Sequence, residues 1–241
     1  MSTLTNKTGD GIQANRAEWE FNAEVAKTFD THVSKSVPFY TETHQLAIDI
    51  SDWFVHDGCR VVDLGCSTGT LIGDLVRRHV KKQIEFTGID NSSAMIEQAR
   101  NNLNGYQRVR LINQDLLKTE FEEDISMMYS LYTLQFVDAQ HRLDLCRRIH
   151  QSLARRGAFV LIEKVLDTDS IVADIFTHLH WSKKAESGFD VTEVYAKAQA
   201  LRGVLVPFTV EENFQMLKEA GFSRISTFWK WCNWIGIVAV K

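Results

Sequence analysis

Residues 61–69 read Val61-Val62-Asp63-Leu64-Gly65-Cys66-Ser67-Thr68-Gly69, an apolar strand running into a small-residue loop that opens a helix over Thr70–His79. Gly65 and Gly69 let the backbone turn tightly and let a ligand approach the main chain. The helix start just beyond them offers free N–H groups to a carboxylate or phosphate. The spacing departs from the dinucleotide fingerprint, because Cys66-Ser67-Thr68 stands where the second glycine would approach a pyrophosphate. A glycine turn closing an ordinary strand–helix unit is the plain alternative.

Working outward, the runs Ile84–Ile89, Val109–Ile112, Met127–Leu131 and Ala158–Glu163 read as further buried strands, separated by the amphipathic stretches Ser93–Leu103 and Ala139–Leu153. Alternation of this kind predicts a parallel sheet covered by helices on both faces. Thr209-x-x-Glu212 is a capping box and Gly221 a stop for a helix over Thr209–Ala220. The strands Phe222–Trp229 and Asn233–Val240 lie too close together for anything but antiparallel pairing. The expected fold is α/β: a doubly wound sheet of seven strands, mostly parallel, with a C-terminal antiparallel hairpin.

Before the sheet, residues 1–18 are polar and read as a flexible tail, and 19–57 as a helical cap. In that cap Phe21, Val25, Phe29 and Val33 recur every four residues, and Pro38 suits the first turn of a second helix, Tyr40–Phe54. Residues 166–205 form a helical insertion, or lid, rich in aromatics and histidine, so 19–241 is one domain. The chain has 241 residues, 44% hydrophobic, with a net charge of −4, which argues against a nucleic-acid partner held by phosphate neutralisation. No apolar run is long enough for a membrane span. Cys59, Cys66, Cys146 and Cys232 form no Cys-x-x-Cys pair, so they predict free thiols in the cytoplasm and no metal site.

Three strand ends carry the chemistry. Asp90 closes the second strand, some 20 residues or more past the glycine turn, where an acid accepts hydrogen bonds from both ribose hydroxyls of an adenosine. Asp90 or Ser92 serves equally as a helix cap. Asp115, after the third strand, suits an adenine amino group or a surface turn. Their joint occurrence with the Asp63–Gly69 loop is more specific than any one of them.

On these residues the chain resembles the class I S-adenosylmethionine-dependent methyltransferases, which have a Rossmann-like fold. The resemblance implies S-adenosylmethionine as cofactor, with Gly65 at its methionine part, Asp90 at the ribose, Asp115 at the adenine and Met95 packed on the adenine ring. Asp63, Ser67, Gly69, Asn91, Leu116 and Leu131 complete the implied cofactor site. A narrower resemblance, to the carboxy-S-adenosylmethionine synthases, rests on Trp19-x-Phe21, Ser36-Val37-Pro38-x-Tyr40, Asp63–Ser67, Ile89–Glu97, Thr133-Leu134-Gln135-Phe136 and Glu163-Lys164. It implies that Tyr40 contacts the cofactor, that S-adenosylmethionine and prephenate yield carboxy-S-adenosylmethionine, and that the chain forms a homodimer.

Two positions depart from that family. Leu131 stands for its asparagine, and Ala198 for the arginine that grips the new carboxylate. Arg202, one helical turn past Ala198, is the expected substitute. Tyr132, His180, Trp181, Tyr195 and Arg202 are the candidate substrate residues. His178 and His180 are spaced for opposite sides of a helix, so they do not form a joint metal site. The adopted reading is in-line methyl transfer to a small-molecule acceptor, with no fixed catalytic residue and no metal required. The alternatives are the synthase activity itself and a non-catalytic S-adenosylmethionine-binding module.

Overall fold

The computed structural model describes residues 6–241. Its sheet contains β1 (Arg60–Leu64), β2 (Glu85–Asp90), β3 (Val109–Asn113), β4 (Ile125–Leu131), β5 (Leu153–Leu166), β7 (Arg224–Trp231) and β8 (Trp234–Val240), in the order β3-β2-β1-β4-β5-β8-β7. The first five are parallel, and β8 enters antiparallel between β5 and β7. An additional two-residue strand, β6 (Phe208–Thr209), pairs with the end of β5. No helix among the described residues is long and apolar enough to cross a membrane.

Side chains of the central strands alternate between two cores, as a period of two requires. Val62, Leu64, Phe159 and Leu161 face α5 (Ala139–Ser152) and α8 (Val210–Glu219). Val61, Val160 and Ile162 face α2 (Tyr40–Ile50), α3 (Thr70–Arg78) and α4 (Ser93–Asn102). Every residue of β4 is buried, Ser126 and Ser130 included, as expected of a central parallel strand covered on both faces. The Thr209–Glu212 capping box forms at the start of α8 as expected.

Three expectations are corrected. Of the tail 1–18, residues 1–5 lie outside the described residues, but 6–18 fold back as a strap: Lys7 bridges Gln13, and Thr8 and Ile12 are buried. Ile12 joins Trp19, Val25, Met95 and Ala200 in a third apolar cluster. The first helix, α1 (Ala23–Ser36), starts later than Trp19 because the Asn22 side chain caps it, accepting from the amides of Glu24 and Val25. Pro38 does not open α2. Phe39 intervenes in a left-handed conformation (φ 56°), turning the chain so that Tyr40 begins the helix, which ends in a 3-10 turn at Ser51–Trp53.

The insertion consists of α6 (Ser170–Glu186) and α7 (Val191–Ala200). With Trp19, α1 and α2, it stands over the carboxyl ends of β1, β4 and β5, enclosing a cavity there.

Candidate functional site

The cavity measures about 640 Å³, and one end of it is built by the β1 loop. Gly65 (φ 76°) passes so close to the next loop that an added Cβ would lie 2.3 Å from Thr133 Oγ1. Its amide and that of Cys66 donate to the Ile89 carbonyl, at 2.7 and 3.0 Å. Asp90 Oδ2 accepts from the Ser67 amide at 2.9 Å, and Oδ1 from the Ser92 amide at 2.8 Å. Each carboxylate oxygen keeps a lone pair for a ligand hydroxyl. Burial raises the Asp90 carboxyl, and the two amide bonds oppose it. The α4 cap is Ser92, whose Oγ accepts from the Met95 amide at 3.2 Å, so Asp90 is free of that duty. Asp115 does form the turn, accepting from the Leu117 amide at 2.9 Å, while also lining the cavity.

Asp63 lies under the loop, 4% exposed. Burial, helped by the charge of Asp90, pushes its carboxyl up to about 8, and no described residue hydrogen-bonds or ion-pairs with it. A buried acid without a cation beside it suits a ligand that brings positive charge.

The other end of the cavity is cationic. Lys164 from β5, Lys184 from α6 and Lys197 from α7 all line it, and none forms an ion pair with a described carboxylate. Burial, then Lys164, pushes Lys184 down to about 7. Burial also lowers Lys164, and lowers Lys197 well below the usual lysine range with help from Lys184. Three amines so enclosed and without counter-charges are costly to keep protonated in an unliganded chain, and an entering anion offsets that cost. Between the two ends stands an aromatic wall: Tyr40 stacks on Tyr132 with ring centroids 5.6 Å apart, and Tyr132 meets the edge of Trp234 at 5.7 Å. Tyr132 Oη is 2.6 Å from Thr43 Oγ1, which fixes the ring. Gln135 ties the β4 loop to β5, accepting from the Lys164 amide at 2.9 Å and donating to the Tyr132 carbonyl at 3.0 Å.

A family profile described as a methyltransferase domain matches residues 61–157, the part that carries β1 to the start of β5. Carboxy-S-adenosyl-L-methionine synthase of Nautilia profundicola is 36% identical, over 93% of this chain and 95% of its own length. The protein of that name from Staphylococcus epidermidis is 37% identical, over 94% and 99%. The chain belongs to this family. Among solved structures, an S-adenosylmethionine-dependent methyltransferase from Aquifex aeolicus shares the fold with a TM-score of 0.60 at 15% identity, covering 92% of this chain and 99% of that one. Human N-acetylserotonin methyltransferase does so with a TM-score of 0.62 at 14% identity, covering 91% and 56%.

As a member of the carboxy-S-adenosyl-L-methionine synthase family, the chain is an S-adenosylmethionine-dependent transferase, and its acidic cavity end fits that cofactor. Asp63 lines that end without a cation beside it, Asp90 lines it with a free lone pair on each oxygen, and Met95, 1% exposed, presents an apolar floor. Tyr40, Gly65, Ser67, Asn91, Leu116 and Leu131 also line the cavity, as do Tyr132, His180 and Trp181. His180 is buried, donating from Nε2 to the Ser36 carbonyl at 3.2 Å, while His178 points outward beside Asp174.

Three assignments change. Gly69 is not on the cavity: it caps α3 at φ 80°, and an added Cβ would strike Leu103 Cδ1 at 2.6 Å, so helix packing demands the glycine. Tyr195 is 40% exposed and off the cavity, because it sits about 200° around α7 from Lys197. Arg202 does reach the cavity, but not as a helical neighbour of Ala198, since α7 ends at Ala200 and Arg202 lies exposed at the rim. The residues that reasoning from sequence missed are Lys184 and Lys197, whose spacing is that of ordinary solvated helix lysines. Only packing against α1 and the strap reveals them as buried.

Proposed function

We propose that the protein is a carboxy-S-adenosyl-L-methionine synthase, combining S-adenosylmethionine with a carboxylate-bearing co-substrate for which prephenate, implied by the family resemblance, is the first candidate. The observation that carries the reading is the cationic cluster of Lys164, Lys184 and Lys197 in the same cavity as the Asp63–Ser67 loop and Asp90. A neutral methyl acceptor has no use for three enclosed lysine amines without counter-charges. The cofactor supplies the sulfonium-bound one-carbon unit. The chain's own residues hold it at the acidic end, hold the anion at the basic end, and exclude water with the aromatic wall. These lysines take over the role expected of Arg202 and compensate for Ala198.

A second reading, methyl transfer to an anionic small molecule, is favoured by the apolar Leu131 and the small Ala198 at two positions of the resemblance. Mass spectrometry separates the two after incubation of the protein with S-adenosylmethionine, with and without prephenate. A prephenate-dependent gain of one carboxyl group on the cofactor is expected. Formation of S-adenosylhomocysteine with an anionic acceptor and no carboxylated cofactor would favour the second reading.

The setting we propose is the cytoplasm, supported by four free cysteines, with small molecules rather than nucleic acid as partners. Basic residues such as Arg78 and Arg147 are engaged by Asp52 and Asp144 on solvated helix faces. We also propose a homodimer, supported by the exposed stripe Ile171, Ile175 and Leu179 along α6. Sedimentation velocity is expected to give twice the chain mass at micromolar concentration, and a monomer there refutes the dimer.

A further inference from the structure

His32 lies on α1, 2% exposed, with both ring nitrogens engaged. Nδ1 is 3.0 Å from Asp10 Oδ2, and Nε2 is 2.6 Å from Lys197 Nζ. The Asp10 carboxylate can only accept, so Nδ1 carries the proton and Nε2 presents a lone pair to the Lys197 ammonium. Burial, then Lys197, pushes the imidazole down to about 3, which keeps it neutral in the working range. Asp10 is itself kept ionised: the pull of burial is outweighed by hydrogen bonds from Lys35, at 2.6 Å to Oδ1, and from His32.

Lys197 Nζ also sits 3.1 Å from the centroid of the Trp19 ring. The histidine and the indole face occupy two sides of the amino group. Its remaining hydrogen-bonding direction is left for the cavity that Lys197, His32 and Trp19 all line. Asp10 comes from the strap and Trp19 is the residue that follows it, and both are distant in sequence from α7.

We infer that the strap is a working part of the site: Asp10 fixes the tautomer of His32, and His32 with Trp19 aims the Lys197 ammonium at a carboxylate on the substrate. Asp10 and His32 are positioning residues, and Lys197 is the group that touches the ligand. This rests on the proposed synthase reading, in which the ligand carries a carboxylate next to the cofactor site. Apolar packing of Ile12 alone would hold the strap down, but it would not require a carboxylate–imidazole–ammonium chain ending at the cavity wall.

The test is calorimetric titration of the full chain with S-adenosylmethionine and with carboxy-S-adenosylmethionine, because the ratio of the two affinities isolates the added carboxylate. The native protein is expected to prefer the carboxylated ligand by about 10- to 100-fold, the worth of one charge-assisted contact. Lys197→Met and His32→Leu bring that ratio close to one. Asp10→Asn, an isosteric change at a half-buried position, lowers it about 3- to 10-fold. His32→Gln retains most of it, since an amide oxygen can stand in for Nε2. In a Lys197→Met background, Asp10→Asn changes the ratio no further, whereas a purely structural strap contact would add its own loss.

A native ratio near one overturns the inference. So does a ratio that Asp10→Asn and His32→Leu leave intact, or a His32→Gln protein no better than His32→Leu. Failure of the native protein to bind S-adenosylmethionine at all strikes the proposed function instead.

Discussion

Asp90→Ala is expected to weaken S-adenosylmethionine binding by about 100- to 1000-fold, because one carboxylate performs two tasks. Its oxygens receive the amides of Ser67 and Ser92, which sets the β1 loop against the start of α4. Asp90 also lines the cavity, and in the proposed cofactor site its oxygens are the acceptors for a ribose. Alanine leaves two backbone amides at the cavity edge without their partner and removes the ligand contact, so loop order and affinity fall together. Asp90→Asn keeps one acceptor oxygen and is expected to lose less. Titration calorimetry of both variants checks this. An Asp90→Ala protein within a few-fold of native affinity would remove Asp90 from the cofactor site.

Lys184→Met is expected to make the unliganded protein more stable while impairing its use of an anionic co-substrate. The unfolded lysine titrates near 10.5, whereas burial, followed by Lys164, pushes the folded one down to about 7. Folding therefore costs stability that is greatest below pH 7, shrinks as pH rises from 7 towards 10.5, and vanishes above it. Lys164, Lys197 and His180 face Lys184 from β5, α7 and α6, and none supplies a negative charge. Methionine removes the buried charge and keeps most of the packing, for a gain of about 1–4 kcal/mol at neutral pH. Urea unfolding between pH 6.5 and 9.5 should show that gain falling with rising pH. In the native protein, affinity for the carboxylate-bearing ligand should hold steady below pH 7 and fall about tenfold per unit above it, as Lys184 loses its proton before the anion arrives. A Lys184→Met protein no more stable than native would mean that Lys184 is already paired in solution.

The acidic half of the site was legible in the sequence because strand ends and glycine turns are local. A run such as Val61–Leu64 followed by two glycines fixes where a loop turns, and an acid one residue past a buried strand can only sit at the sheet's edge. The closing hairpin was equally legible, since the short connection between Trp229 and Asn233 leaves no room for a crossover. The named relatives are carboxy-S-adenosyl-L-methionine synthases, the alternative to the methyl transfer adopted from sequence, and the narrower motifs, Ser36–Tyr40 and Thr133–Phe136, already resembled that family.

The basic half was not legible. Lys184 and Lys197 lie on helices where lysine is commonplace, and their burial depends on how α6 and α7 settle against α1. The polar segment 1–18 has the composition of a tail, yet its described part is held by Ile12 in an apolar cluster and by Asp10 on His32 and Lys35. Sequence alone therefore determined the sheet, its order of turns and the three acids at its edge, because these follow from periodicity and backbone conformation within a few residues. Only the tertiary structure decided that Trp19, α1, α6 and α7 converge on one chamber, with the strap bound to α1, and leave its lysines without counter-charges, because burial and pairing are properties of contacts between distant segments.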